Sequence, residues 1–237
     1  MSEEGGEGRE ERDRERPSRP GARYSTFVGI AFLALVAIAA LNGLRTDEGS
    51  VLGVEAVEGR PLAEFAVPAV PGPLDGDANI AQDDCETAVN PCPEEDRRTP
   101  ACEVDLEGAI RVCDLFDRPL VISFWFTRGA ECLGAQDVFD EVARKYRGRV
   151  NFLSLNVRDD RETVESTVAE RGWTVPLGWD RDGAVSNIYR VAVCPTVAFA
   201  YPGGIFQSAA VEDPQVTVAE LSDRVDELVR ESRERAP

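Results

Sequence analysis

Residues 119–132 read Pro-Leu-Val-Ile-Ser-Phe-Trp-Phe-Thr-Arg-Gly-Ala-Glu-Cys. From Pro119 to Phe126 the run is almost continuously apolar, as a strand covered on both faces requires. It ends in the pair Phe124-Trp125, crosses a short polar turn and arrives at Cys132. A helix is expected next, from about 131 to 146, because Val138, Val142 and Tyr146 recur every four residues on one side. A cysteine at a helix start feels the positive end of the helix dipole, and Arg128 adds to that pull while Glu131 opposes it.

The same alternation continues outward. Val150 to Val157 reads as a strand, and Arg161 to Arg171 as a helix stopped by Gly172. Ala184 to Tyr189 suggests a short helix. Thr196 to Tyr201, the turn Pro202-Gly203-Gly204 and Ile205 to Ala209 form a hairpin pattern. A last amphipathic helix runs from Val218 to Glu234, with Leu221, Val225, Leu228 and Val229 inward. On the other side of Pro119, Ala109 to Val112 reads as a short strand, and the stretch around Phe65 as a first, edge-like one.

The N-terminal part is built differently. Residues 1–23 hold six arginines and seven acids with almost no apolar side chain, so they are expected to be a disordered tail. Residues 24–44 carry no charge and are apolar on every side, the length of a membrane-spanning helix. A buried core helix or a cleaved signal peptide are the competing readings. The arginines before the span point to a cytoplasmic N-terminus and an extracytoplasmic domain. Residues 45–60 then serve as a linker, and 61–237 as the folded domain, with a cysteine-bearing insertion at about 76–107.

From residue 45 onward, 37 acids face 20 bases. Such a field repels nucleic acid and anionic lipid headgroups, and no nucleic-acid partner is expected. The chain has no histidine, which removes histidine bases, Cys-His dyads and histidine metal ligands. All six cysteines, at 85, 92, 102, 113, 132 and 194, lie beyond the apolar span, where an oxidising compartment favours disulfides. Cys85 with Cys92 and Cys102 with Cys113 is the simplest structural pairing, though four cysteines allow three. A four-cysteine zinc site needs closer pairs than the six, nine and ten residues that separate these, so no metal and no cofactor is expected.

Three local patterns carry a family resemblance. Asp114 to Trp125 resembles the lead-in to a thioredoxin active site, Tyr189-Arg190-Val191-Ala192-Val193-Cys194-Pro195-Thr196 resembles the loop that faces it, and Tyr201-Pro202-Gly203-Gly204 resembles the last hairpin turn. Over roughly residues 61–235 the chain resembles the thioredoxin-like superfamily, in particular the membrane-anchored TlpA-like and redoxin branch found outside bacterial cytoplasmic membranes. The resemblance implies a three-layer α/β fold with a central mixed sheet, and a cis-proline at Pro195. It also exposes departures. Gly129 stands where the attacking cysteine belongs, Arg128 replaces a frequent Trp, and Ser123 stands where thioredoxins proper keep a buried acid.

In the family geometry the residue before the cis-proline lies across from the first active-site cysteine, and here that residue is Cys194. Cys132 and Cys194 are therefore the candidate redox pair, with Pro195, Trp125, Arg128 and Gly129 lining the substrate groove. The expected partners are extracytoplasmic protein thiols or peptides. Two alternatives remain open: a non-catalytic module that holds an extended peptide beside Pro195, and a peroxidase, which the four residues between Thr127 and Cys132 fit poorly.

Overall fold

The computed structural model describes Phe32 and residues 58–76, 99–128, 132–211 and 213–235. The fold belongs to the unit Gly49–Pro237. Of the unit Met1–Glu48 only Phe32 is described, so the tail and nearly all of the apolar span 24–44 lie outside the described residues. Among those described, no helix is long and apolar enough to cross a membrane.

Strand β1 (Ala66–Pro68) pairs antiparallel with β2 (Ala109–Arg111) in a small separate sheet. The apolar run then forms β3 (Leu120–Trp125), every residue of which is buried. After it come α1 (Cys132–Lys145), β4 (Asn151–Val157), α2 (Arg161–Arg171), β5 (Leu177–Asp180) and α3 (Ala184–Ile188), followed by β6 (Thr196–Tyr201), β7 (Ile205–Val211) and α4 (Val218–Arg235). The main sheet has the order β5-β4-β3-β6-β7. β3 is parallel to β4 and antiparallel to β6, so the sheet is mixed and β3 lies at its centre.

The pleat sends alternate residues of β3 to opposite faces. Leu120, Ile122 and Phe124 pack with Phe65, Val67, Leu153, Leu155, Val185 and Tyr189. Val121 faces the other way, into a core shared with Phe139 and Val142 of α1 and Leu221, Val225 and Leu228 of α4. This is the expected three-layer arrangement, with helices on both faces of one sheet. The ends of α2 agree with the sequence reading: Asp160 accepts from Thr163 N at the N-cap, and Gly172 closes the helix at φ +66°.

The first strand, expected around Phe65, is Ala66–Pro68, paired with β2 in the small sheet. One element departs from expectation. β5 has no counterpart in the sequence reading: Leu-Gly-Trp-Asp is only four residues long and carries a glycine. The structure explains that glycine. A Cβ on Gly178 would lie 2.5 Å from Val67 Cγ2 and 2.7 Å from Leu155 Cδ2, so the space above the edge strand belongs to β1 and β4 side chains.

Around the insertion, a disulfide joins Cys102 to Cys113 with a Cα–Cα distance of 5.7 Å, connecting the 3-10 turns Ala101–Glu103 and Val112–Leu115. Cys85 and Cys92 lie outside the described residues.

Candidate functional site: a buried cysteine pair at the end of the central strand

Cys132 is the first residue of α1, and Cys194 is the next-to-last residue of the loop between α3 and β6. A disulfide joins them with a Cα–Cα distance of 5.7 Å, inside the span a disulfide can bridge. Cys132 is fully buried and Cys194 is 7% exposed, so Cys194 is the less buried residue of the pair. The Cys194–Pro195 peptide is cis, and Thr196 Oγ1 donates to Val193 O at 2.7 Å, which closes the loop on itself. Gly129 and Glu131 lie outside the described residues. Arg128, on the near side of that gap, has a side chain 70% exposed.

The chain contains three tryptophans, and all three pack in one cluster with the two cysteines, together with Val70, Val164 and Leu177. Trp125 meets Trp173 edge to face with centroids 5.0 Å apart. Each indole N–H is satisfied: Trp125 donates to Ser154 Oγ, Trp173 to Asp137 Oδ1 and Trp179 to the main-chain oxygen of Asp159. Trp125 was expected in the groove lining. It is fully buried instead, because it points from the central strand into the interior and supports the pair from within.

A polar chain runs through the same interior. Ser123 Oγ donates to Gln136 Oε1 at 3.0 Å, and Gln136 Nε2 donates to Ser154 Oγ at 2.8 Å, where Trp125 also donates. Ser123, Gln136 and Ser154 are all buried. Each member is neutral and partnered, so the network holds β3, β4 and α1 in register without a charge. It contains no carboxylate to accept or return a proton. The sequence reading identified Ser123 and missed Gln136 and Ser154. The signal was present: Gln136 lies one helical turn after Cys132, and Ser154 interrupts an apolar strand.

The chain just after β3 is held by Asp159. Its Oδ2 accepts from Thr127 N at 2.6 Å and from Asn156 Nδ2 at 2.8 Å, and its Oδ1 lies 3.3 Å from Arg128 Nε. The Asp159 side chain is 2% exposed. Arg128 is fixed again by donating from Nη2 to Arg158 O at 2.6 Å. One carboxylate thus ties the end of β3 to the end of β4, while the main-chain oxygen of the same residue accepts from Trp179. A second buried acid, Asp180, accepts from Val185 N and Ser186 N at the start of α3. Burial pushes the Asp180 carboxyl above the ordinary carboxylate range, against the lowering effect of those N–H bonds.

Glu64, Cys102 and Cys113 lie close enough for a metal, but both sulfurs are already bonded to one another and offer no thiolate.

No protein-family model matches the chain. In sequence it is similar to the thiol-disulfide oxidoreductase ResA of Oceanobacillus iheyensis, 23% identical over 103 residues, covering 43% of this chain and 53% of the relative. The chain thus spans about half the length of the curated relative it matches. In structure it is similar to a DsbF homologue from Corynebacterium diphtheriae (TM-score 0.53, 15% identity, covering 77% of this chain and 95% of that one). It is also similar to a thiol:disulfide interchange protein of the thioredoxin family from Chlorobium tepidum (TM-score 0.51, 12% identity, 73% and 98%). The likeness extends to the thioredoxin domain of a thiol-disulfide oxidoreductase from Bacteroides vulgatus (TM-score 0.51, 10% identity, 73% and 98%). The fold is thioredoxin-like.

Proposed function

We propose that this chain is a thiol-disulfide exchange protein whose working pair is Cys132 and Cys194, held outside the cytoplasmic membrane by residues 24–44. The observation that carries the reading is the bond between the first residue of α1 and the residue before cis-Pro195. Gly129 stands where the resembled family keeps its attacking cysteine, and Cys132 is bonded instead to Cys194 on the loop before β6. The sequence similarity to a thiol-disulfide oxidoreductase supports the same chemistry.

The exchange follows from the unequal burial of the two cysteines. A substrate thiolate attacks Sγ of Cys194, the less buried residue, and the Cys132–Cys194 bond breaks. Cys132 leaves as a thiolate at the N-terminus of α1, where the helix dipole favours negative charge, and takes a proton from solvent. A second substrate thiolate then attacks the substrate sulfur of the mixed disulfide and expels Cys194. The substrate dithiol has become a disulfide, and two electrons and two protons now reside on the two cysteines. The reverse sequence reduces a substrate disulfide. Ser123, Gln136 and Ser154 are neutral, so their network offers the leaving thiolate no acid.

Trapping tests the assignment. In the full-length chain, Cys132→Ser leaves Cys194 as a free thiol that attacks substrate disulfides, expels one substrate thiolate and cannot be resolved, so mixed disulfides accumulate on Cys194, while Cys194→Ser accumulates none. Equal trapping by both variants, or by neither, contradicts it. The burial of both cysteine residues favours one second reading, a non-catalytic module that binds an extended peptide beside Pro195. That reading requires peptide binding that survives in both cysteine variants together with no insulin reduction by the wild type.

A further inference from the structure

At the far end of α1 the chain gathers positive charge against its overall balance. Residues 144–149 read Arg-Lys-Tyr-Arg-Gly-Arg, four bases and no acid, in a chain of formal net charge −18. α1 has 14 residues, so about 20 Å of helix separates this run from Cys132. Arg144 and Arg147 line a cleft of about 440 Å³, and Arg118 joins them from the loop before β3. Phe152 and Val175 supply apolar wall.

The donors in this cleft can be accounted for one by one. Asn151 Nδ2 already donates to Leu115 O and Asp117 Oδ1, and the amides of Thr174 and Val175 donate to Asp140. Arg118 and Arg144 use only Nε in their ion pairs with Asp117 and Asp140, at 3.3 and 3.1 Å. Among the described residues the terminal nitrogens of both make no hydrogen bond. The Arg147 side chain has no hydrogen bond or ion pair among the described residues. Bases in the last helical turn are stabilised by the dipole, which accounts for Arg144 and Lys145. It does not account for Arg118, which comes from another part of the chain, or for Arg147 beyond the helix end.

We propose that this cleft binds a phosphate-bearing anion. Guanidinium forks match phosphate oxygens in paired hydrogen bonds, and apolar wall lowers the local dielectric. Asp117 and Asp140 are already paired, so the groups left facing the cleft are cationic. The wider field of the protein is negative, so attraction is confined to the cleft and binding is saturable and salt-sensitive. A soluble phosphate ester and a lipid headgroup offer the same chemistry.

Calorimetry on the full-length chain separates the two, with glycerol 3-phosphate as one probe and monomeric dihexanoyl-phosphatidylglycerol as the other, and dihexanoyl-phosphatidylcholine as the control. One-to-one binding of at least one anionic probe is expected, weakened about tenfold or more by Arg118→Gln with Arg147→Gln and unchanged by Arg230→Gln on α4. It should weaken further as salt rises from ~0.05 to ~0.5 M. Tighter binding of the lipid assigns a headgroup site, and tighter binding of glycerol 3-phosphate a soluble ester. No saturable binding of either probe overturns the proposal, and so does equal affinity in the double variant with its circular dichroism intact.

Discussion

Asp159 gathers a main-chain amide, a carboxamide and a guanidinium on two oxygens, and all three donors lie at the ends of β3 and β4. Asp159→Ala leaves Thr127 N and Asn156 Nδ2 without an acceptor in a buried place. Urea unfolding should then show a loss of about 2–3 kcal/mol. Asp159→Asn keeps one acceptor and loses only the ion pair to an arginine that is largely exposed, so its cost should be about 1 kcal/mol or less. A similar cost for both substitutions would mean the carboxylate acts only through Arg128. Nothing in the sequence singled out Asp159 from the 44 acids of the chain, because its importance comes from what the fold brings to it. Cys132 and Cys194 were legible for the opposite reason: each sits in a pattern whose neighbours carry the information, Phe124-Trp125 before one and Pro195-Thr196 after the other.

At the level of elements, strands with continuous apolar runs and helices with marked ends were readable, as β3 and α2 illustrate. β5 was not, because its four residues owe their place to Val67 and Leu155 closing on Gly178. Gly178→Ala should destabilise the protein by about 1–3 kcal/mol in thermal or urea unfolding, since the methyl group must displace packed side chains. A neutral result would show that β1 yields easily. The attachment of α4 to the sheet has a pH signature. Tyr201 donates to Glu231 Oε2 at 2.8 Å, and Gln207 donates to the same oxygen at 3.0 Å. Those bonds lower the Glu231 carboxyl, whereas burial and then Glu231 push the Tyr201 phenol up to about 12. The Glu231 contribution is present above the ordinary glutamate range and is lost as pH falls through its lowered folded value. The Tyr201 contribution is intact below about pH 10 and is lost as pH rises from there toward 12. The stability gap between wild type and Tyr201→Phe should therefore narrow between pH 9 and 11.5, read from urea midpoints. A constant gap would refute the linkage.

The whole molecule places two described disulfides in different settings. Cys102–Cys113 closes a separation of 11 residues between short turns, and Cys132–Cys194 closes 62 residues across the centre of the fold. Chain-entropy arguments give about 3 kcal/mol for the first, so Cys102→Ala with Cys113→Ala should lower stability by that order and leave thiol exchange unchanged. Loss of exchange in that variant at a temperature where it stays folded would move the chemistry to the wrong pair. The three-layer architecture was legible from the alternation of strands and helices, whereas the tryptophan cluster around the second disulfide was not, since Trp125, Trp173 and Trp179 meet only through the sheet. The central claim is that the Cys132–Cys194 bond cycles. Its most direct test is to equilibrate the native full-length chain in dithiol buffers of graded potential and read the two cysteines by alkylation and mass spectrometry. A cycling pair shows a reversible two-electron transition above about −300 mV while the far-ultraviolet circular dichroism stays native. A bond that stays oxidised until the chain unfolds would contradict it.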